Sequence, residues 1–197
     1  MPARVRLTLM AAATLVLLGA LGVVLLAGGG DRASGHGLQG ALQPEAIPPQ
    51  DFALRDQDGK RVRLADYRGR TVLLTFMYST CRDTCPLTAQ QIKGALDDLG
   101  HDVPTLAISV DPANDTPLNA RRFLVRQGLR GRMRFLLGTR AQLAPIWKAY
   151  GIRPQGAGFD HSAYVLIVDR RGVQRVGWPV DHLTPEGLAH DLRALRA

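Results

Sequence analysis

The chain has 197 residues, with 25 Lys and Arg against 17 Asp and Glu, a formal net charge of +8 and only 6% aromatic residues. No basic cluster is interleaved with aromatic residues, which argues against a nucleic-acid-binding protein. The surplus positive charge instead favours an acidic partner or an anionic membrane surface. The length is sufficient for one globular domain with a sizeable core, in addition to an N-terminal extension.

The N-terminus contains a long apolar segment. Residues 7–27 include no charged residue and follow Arg4 and Arg6. As a helix, this segment would span roughly 30 Å, the thickness of a bilayer core. The positive-inside rule keeps the arginines, and with them residues 1–6, in the cytoplasm. We therefore expect a single-pass anchor in the cytoplasmic (inner) membrane, with the rest of the chain on the periplasmic side. A cleaved export signal is the alternative, although such signals have shorter apolar regions.

Residues 28–50 are predicted to be a flexible tether, because they are rich in Gly, Gln and Pro and show no apolar period. The globular domain is expected over residues 51–197. It begins with a predicted β-hairpin, whose strands at 52–54 and 61–64 flank the turn signal at 56–59. Residues 72–77 then form a continuous apolar run, which is typical of a strand buried on both faces of a parallel sheet.

The remaining elements alternate between helix and strand. Thr116 is a predicted N-cap and Pro117 a predicted first helical residue. The pattern predicts helices at 87–99, 116–127, 141–150 and 184–195, strands at 104–110 and 134–137, and a closing hairpin at 163–168 and 173–178. Helices between parallel strands, followed by an antiparallel pair, indicate an α/β sandwich. Because a dithiol follows the first core strand, the order of elements is thioredoxin-like.

The dithiol is formed by Cys81 and Cys85, the only cysteines of the chain. Cysteines at this spacing near a helix start can form a disulfide or turn both sulfurs toward one soft metal ion. Unpaired amide groups and the positive end of the helix dipole also favour a thiolate there. A buried pair or a structural disulfide is the alternative, but a stabilising disulfide would more naturally join distant segments.

Three motifs, found in the expected order, resemble the Sco/SenC copper-binding proteins of the respiratory chain. They are FMYSTCRDTCP at 76–86, ISVDPANDTP at 108–117 and FDHSAY at 159–164. The resemblance covers the chain from about residue 49 to its C-terminus, and the predicted N-terminal anchor also resembles the arrangement of the family. One departure is Arg82, where many members of the family carry proline.

The resemblance implies a copper site made of Cys81, Cys85 and His161. Two thiolates and an imidazole suit Cu(I), and an added oxygen donor from water or Asp160 would suit Cu(II). In the oxidised form the two cysteines would be joined as a Cys81–Cys85 disulfide. The aspartates and prolines at 111–117 are explained structurally by turns and a helix cap after the second core strand. The alternative is that a thioredoxin-like sheet places Asp111 beside the dithiol, where it would influence the charge around the metal or shape a docking surface.

The resemblance further implies a copper metallochaperone that assists assembly of the binuclear copper centre of cytochrome c oxidase and need not be an enzyme. Its expected partners are the oxidase subunit that holds this centre and a periplasmic thiol reductant or copper donor. A thiol-disulfide oxidoreductase acting on the oxidase or on other exported proteins is the alternative, because the same two sulfurs serve both tasks. A peroxidase is a third possibility, but the sequence lacks the Pro- and Thr-containing loop with a supporting arginine.

Overall fold

The computed structural model describes residues 37–44, 51–154 and 164–195. The chain divides into a unit that ends at Gly37 and a second unit that runs from Leu38 to the C-terminus. All the described helices and strands belong to the second unit. The strands are β1 Ala41–Leu42, β2 Ala53–Asp56, β3 Arg61–Arg63, β4 Val72–Met77, β5 Thr105–Ser109, β6 Met133–Leu137, β7 Tyr164–Val168 and β8 Gln174–Pro179. The helices are α1 Thr84–Leu99, α2 Pro117–Arg126, α3 Arg140–Ala149 and α4 Pro185–Ala194.

The strands form one sheet in the order β1-β8-β7-β4-β5-β6-β2-β3. Strands β4, β5 and β6 are parallel, with Phe76 of β4 opposite Ile108 of β5, and the other neighbours are antiparallel. Because β4 and β5 run in the same direction, their carboxyl ends lie at the same edge of the sheet. The segments that follow these two strands are therefore neighbours, which is where binding sites of open parallel sheets form.

The sheet has a hydrophobic core on each face. Side chains of β4 alternate between them, so that Leu73 and Met77 enter one core while Leu74 and Phe76 enter the other. The first core also contains buried side chains of α1, α2 and α4, and the second contains those of α3. Burial on both faces explains why β4 is apolar throughout.

Most of the predicted elements are confirmed. The N-terminal hairpin, the core strands, the closing hairpin and all the helices of the globular domain are present within a few residues of their expected bounds. Thr116 accepts a hydrogen bond from the amide of Asn119 and caps α2, with Pro117 as its first residue. The helix after the first core strand begins at Thr84, earlier than the expected residue 87. The chain therefore has the predicted mixed α/β, thioredoxin-like architecture.

The predicted tether is wrong for residues 38–44, which belong to the globular unit. Ala41 of β1 is paired with Gly177 of β8, and the amides of Gln39 and Gly40 donate to the buried carboxylate of Asp191 at 2.7 and 2.9 Å. A two-residue strand is too short to show an alternating pattern of apolar and polar residues. The amides that precede this strand are satisfied by a carboxylate that lies far away in the sequence, near the C-terminus. The sequence pattern therefore gave no sign that the domain begins before residue 51.

The predicted anchor at residues 7–27 lies outside the described residues. Among the helices that the structure describes, none is long and apolar enough to cross a membrane. The anchor and the periplasmic side of the domain remain predictions.

Candidate metal and redox centre

The two cysteines lie where β4 passes into α1. A tight turn follows β4 and is closed by the Cys81 amide, which donates to the carbonyl of Tyr78 at 3.3 Å. Cys85 lies in the first turn of α1, which begins at Thr84. The two side chains are not joined by a disulfide, and their exposed fractions are 7% for Cys81 and 2% for Cys85. The turn after β4 therefore positions the sulfur of Cys81, and the first turn of α1 positions that of Cys85.

The sulfur of Cys81 satisfies a backbone group at the start of α1. The N-cap residue of this helix is Asp83, and its side chain makes no capping hydrogen bond. The amide of Cys85 instead donates to the sulfur of Cys81 at 3.3 Å. The first amides of a helix have no partner within the helix, so this sulfur takes the place of a capping oxygen. A thiolate in this position is also favoured by the helix dipole.

The surroundings drive the pKa values of the two thiols apart. The hydrogen bond from the Cys85 thiol lowers the pKa of Cys81 to about 5, assisted by the amides of Cys85 and Asp83 and by the hydroxyl of Tyr78. The hydrogen bond to Cys81, together with burial, raises the pKa of Cys85 far above its ordinary value. Burial, and the hydrogen bond to Cys81, likewise raise the pKa of Tyr78. The pair is therefore one thiolate and one thiol at neutral pH.

A buried carboxylate lies behind the turn that precedes Cys81. One oxygen of Asp115 accepts hydrogen bonds from the amide and the hydroxyl of Ser79, both at 2.6 Å. Its other oxygen accepts from the hydroxyl of Ser109 at 2.5 Å. Burial raises the pKa of Asp115, while these hydrogen bonds oppose the rise. Asp115 thus joins the loop after β4 to the end of β5.

The structure places the predicted site residues as follows. Cys81 and Cys85 are in contact, whereas the carboxylate of Asp111 accepts a hydrogen bond from Asn114 in its own loop. Asp160 and His161 lie outside the described residues. Within residues 37–44, 51–154 and 164–195, no group of three or more His, Cys, Asp or Glu side chains could hold a metal ion. The roles of Asp111, Asp160 and His161 stay predictions.

Sequence reasoning missed two contributors to this site. Tyr78 and Asp115 fall within the motifs at 76–86 and 108–117, but no role at the site was predicted for either. Their roles depend on the direction of one hydroxyl and on a contact between residues 36 positions apart. No periodicity or spacing reports such contacts, although the polar Ser79 and Ser109 at the ends of two apolar strands are a weak signal.

Comparison with known proteins identifies the family. The family model SCO1/SenC matches residues 41–196. The chain belongs to the SCO1/SenC family. Over 146 residues it is 32% identical to the mitochondrial SCO2 homologue of Bos taurus, covering 68% of this chain and 54% of that protein. Over 128 residues it is 34% identical to the SenC protein of Rhodobacter capsulatus, covering 60% and 57% of the two chains. The chain thus matches little more than half the length of these curated relatives.

Solved structures of the family share the fold. The copper-bound structure of Bradyrhizobium japonicum ScoI matches with a TM-score of 0.64 and 30% identity, over 75% of this chain and 98% of that one. The solution structure of apo Sco1 from Thermus thermophilus matches with a TM-score of 0.67 and 26% identity, over 83% and 99% of the two chains. The predicted membership of the family is therefore confirmed, as is the predicted fold of the globular domain.

Proposed function

We propose that this SCO1/SenC protein binds copper through Cys81, Cys85 and His161 and delivers it to the binuclear copper centre of cytochrome c oxidase. The observation that carries the proposal is the contact between two buried cysteines that are not joined by a disulfide, in which the sulfur of Cys81 accepts the amide of Cys85 at the start of α1 and has a lowered pKa. Membership of the family supports it, as does the similarity to a ScoI structure with copper bound.

The donor set fits copper as the cargo of this site. Thiolates are soft ligands and prefer Cu(I), which accepts few ligands and needs no preformed cage of oxygen atoms. The thiolate of Cys81 is ready at neutral pH, whereas Cys85 must lose its proton when it binds the metal. His161 would add an imidazole, and Asp160 an oxygen donor for Cu(II). Release to the oxidase would exchange these ligands for those of the receiving subunit.

Thiol-disulfide exchange is the second candidate, favoured by the divergent pKa values of the pair. The thiolate of Cys81 would attack a partner disulfide, forming a mixed disulfide and releasing one partner thiolate. Cys85, after losing its proton, would then attack the sulfur of Cys81. This step forms the Cys81–Cys85 disulfide and releases the second partner thiolate, so that two electrons pass to the partner. A periplasmic reductant would have to restore the dithiol.

An experiment in cells tests copper delivery against thiol reduction. Loss of the protein should lower cytochrome c oxidase activity, and added copper should restore part of it, because mass action bypasses a carrier that only raises the local supply. If the protein instead reduces the oxidase cysteines, a membrane-permeant reductant should restore activity and copper should not. Complementation with the wild-type chain and with Cys81→Ser provides the controls. Normal oxidase activity at limiting copper would refute both.

The proposal includes the N-terminal anchor and the periplasmic location of the domain. After membrane fractionation the protein should resist washing with salt, because a 7–27 span would be held by burial in hydrocarbon and not by surface charge. Protease added from the periplasmic side should digest the globular domain. A soluble protein lacking the first ~30 residues would show that the segment is a cleaved signal.

A further inference from the structure

We infer that Asp115 is a positioning residue of the dithiol centre, which acts through Ser79 to hold Cys81 in the geometry that both copper binding and thiol exchange require. The inference deepens the proposed function and rests on it for its copper readout. Its thiol readouts do not depend on whether the protein carries copper.

The contacts of Asp115 are those of a clamp on the loop after β4. Its two oxygens accept three hydrogen bonds, from the amide and hydroxyl of Ser79 and from the hydroxyl of Ser109, at 2.5–2.6 Å. The carboxylate and both serines are buried, with exposed fractions of 7%, 1% and 0%. All its partners are donors, so a carboxylate satisfies them where an amide, with only one acceptor oxygen, could not.

The opposite side of Ser79 is held as well. The guanidinium of Arg126, at the end of α2, donates to the carbonyl of Ser79 at 3.4 Å. Ser109, the other residue that donates to Asp115, is also held in place, because the indole of Trp147 donates to its carbonyl at 2.9 Å. We call Asp115, Ser109 and Arg126 the Ser79 clamp. These three residues belong to β5, to α2 and to the loop between them. The clamp thus connects the loop after β4, which we call the dithiol loop, to the neighbouring strand and helix.

The effect reaches the sulfur through a short turn. Ser79 is the first central residue of the turn that the Cys81 amide closes on the carbonyl of Tyr78. Without the hydrogen bonds from Ser79 to Asp115, this turn could rotate. The sulfur of Cys81 would then move, and so would the Tyr78 hydroxyl that is hydrogen-bonded to this sulfur. Cys85 would stay in place, because it belongs to α1. The clamp therefore sets the position of the Cys81 sulfur relative to that of Cys85.

A second buried carboxylate supplies the matched control. Asp191 is also fully buried and also accepts two backbone amides, those of Gln39 and Gly40, but its partners include no residue of the dithiol loop. Asp191→Asn therefore measures the general cost of replacing a buried acceptor. If Asp115→Asn changes the properties of the dithiol more than Asp191→Asn does, the excess is due to the Ser79 clamp.

The test compares full-length wild type, Asp115→Asn, Ser79→Ala and Asp191→Asn, purified in detergent. For each we would measure the equilibrium of the dithiol with glutathione, the alkylation rate of Cys81 by iodoacetamide and the Cu(I) affinity against a competing chelator. We expect Asp115→Asn to favour the disulfide about tenfold, or about 30 mV, because the reduced pair depends on the turn to hold its two sulfurs together, whereas the disulfide holds them by a covalent bond. Its Cu(I) affinity should fall about 10- to 100-fold.

Ser79→Ala removes the hydrogen bond from the Ser79 hydroxyl to Asp115 but keeps the one from its amide. It should therefore shift the disulfide equilibrium and the Cu(I) affinity in the same direction as Asp115→Asn, by a smaller factor. Asp191→Asn should leave all three unchanged. If Asp115→Asn and Asp191→Asn gave equal values in these measurements, the inference would be overturned. If Asp115→Asn failed to fold, values of Ser79→Ala equal to those of wild type would overturn it. Absence of copper binding by wild type would refute the proposed function alone, since the disulfide and alkylation readouts still decide the role of Asp115.

Discussion

Cys81 and Cys85 are the same residue type four positions apart, yet the structure gives them opposite chemistry. Cys81 belongs to a turn and receives hydrogen bonds from an amide, a thiol and a phenol. Cys85 belongs to a helix, is more deeply buried and donates its own hydrogen to Cys81. The local backbone, and not the residue type, therefore decides which sulfur is the thiolate. The turn presents the sulfur of Cys81 to several donors. The sulfur of Cys85 has the amide of Tyr78 as a donor, but burial and the donation of its own hydrogen to Cys81 outweigh that amide.

Removal of either sulfur should have the largest effect. We expect both Cys81→Ser and Cys85→Ser to lower Cu(I) affinity by more than the roughly 10- to 100-fold typical of outer residues, because a hydroxyl is a poor donor to a soft ion. Affinity would be measured on the reduced protein by competition with a Cu(I) chelator. Thr80→Ser, next to Cys81 in the chain, provides a control that should match wild type. Wild-type affinity in both cysteine variants would refute the site.

Alkylation should separate the two sulfurs. Because the pKa of Cys81 is lowered to about 5, its reaction with iodoacetamide should increase between about pH 4 and pH 6 and then level off. Cys85, whose pKa is raised, should stay unmodified across this range. Mass spectrometry of the digested protein would assign each adduct. Equal labelling of both residues, or a midpoint near the ordinary value of about 8.5, would show that the pKa values of the two thiols do not differ.

The pH dependence of stability should differ between the reduced and oxidised forms. The folded pKa of Cys81 lies below its unfolded value, so its contribution is complete above pH ~8.5 and is lost as pH falls through about 5. The reduced form should therefore gain stability relative to the disulfide form between about pH 5 and pH 8. Urea midpoints of both forms at each pH measure this, and the oxidised form cancels the other titrations. A constant difference would argue against a native thiolate.

Loss of the phenol should have the smallest effect. Tyr78→Phe keeps the ring but removes one donor to the Cys81 thiolate, so the pKa of Cys81 should rise by roughly one pH unit. The alkylation midpoint of Cys81 reports the change. Tyr164→Phe, which alters an exposed tyrosine at the start of β7, is the matched control. If the two variants gave the same midpoint, the amides and the thiol of Cys85 alone would account for the thiolate.

The elements of the fold were predictable because burial leaves a pattern in the sequence. Strand β4 is apolar throughout because both of its faces are buried, and Thr116 followed by Pro117 is a local signal for a helix start. The cysteines were found by their spacing and by the three motifs. The pairing of β1 with β8 and the bonds of Asp115 were not predictable, because they join distant residues through single polar contacts. Short-range patterns do not record such contacts.

The central claim is that one copper ion binds to both sulfurs and to His161. Its most direct test is a copper titration of the reduced full-length chain, with metal analysis and X-ray absorption spectroscopy of wild type, His161→Ala and, as control, the exposed His182→Ala. We predict one copper per chain with two sulfur ligands and one nitrogen ligand, and loss of that nitrogen only in His161→Ala. A copper without sulfur ligands, or a spectrum of His161→Ala identical to that of wild type, would contradict the account.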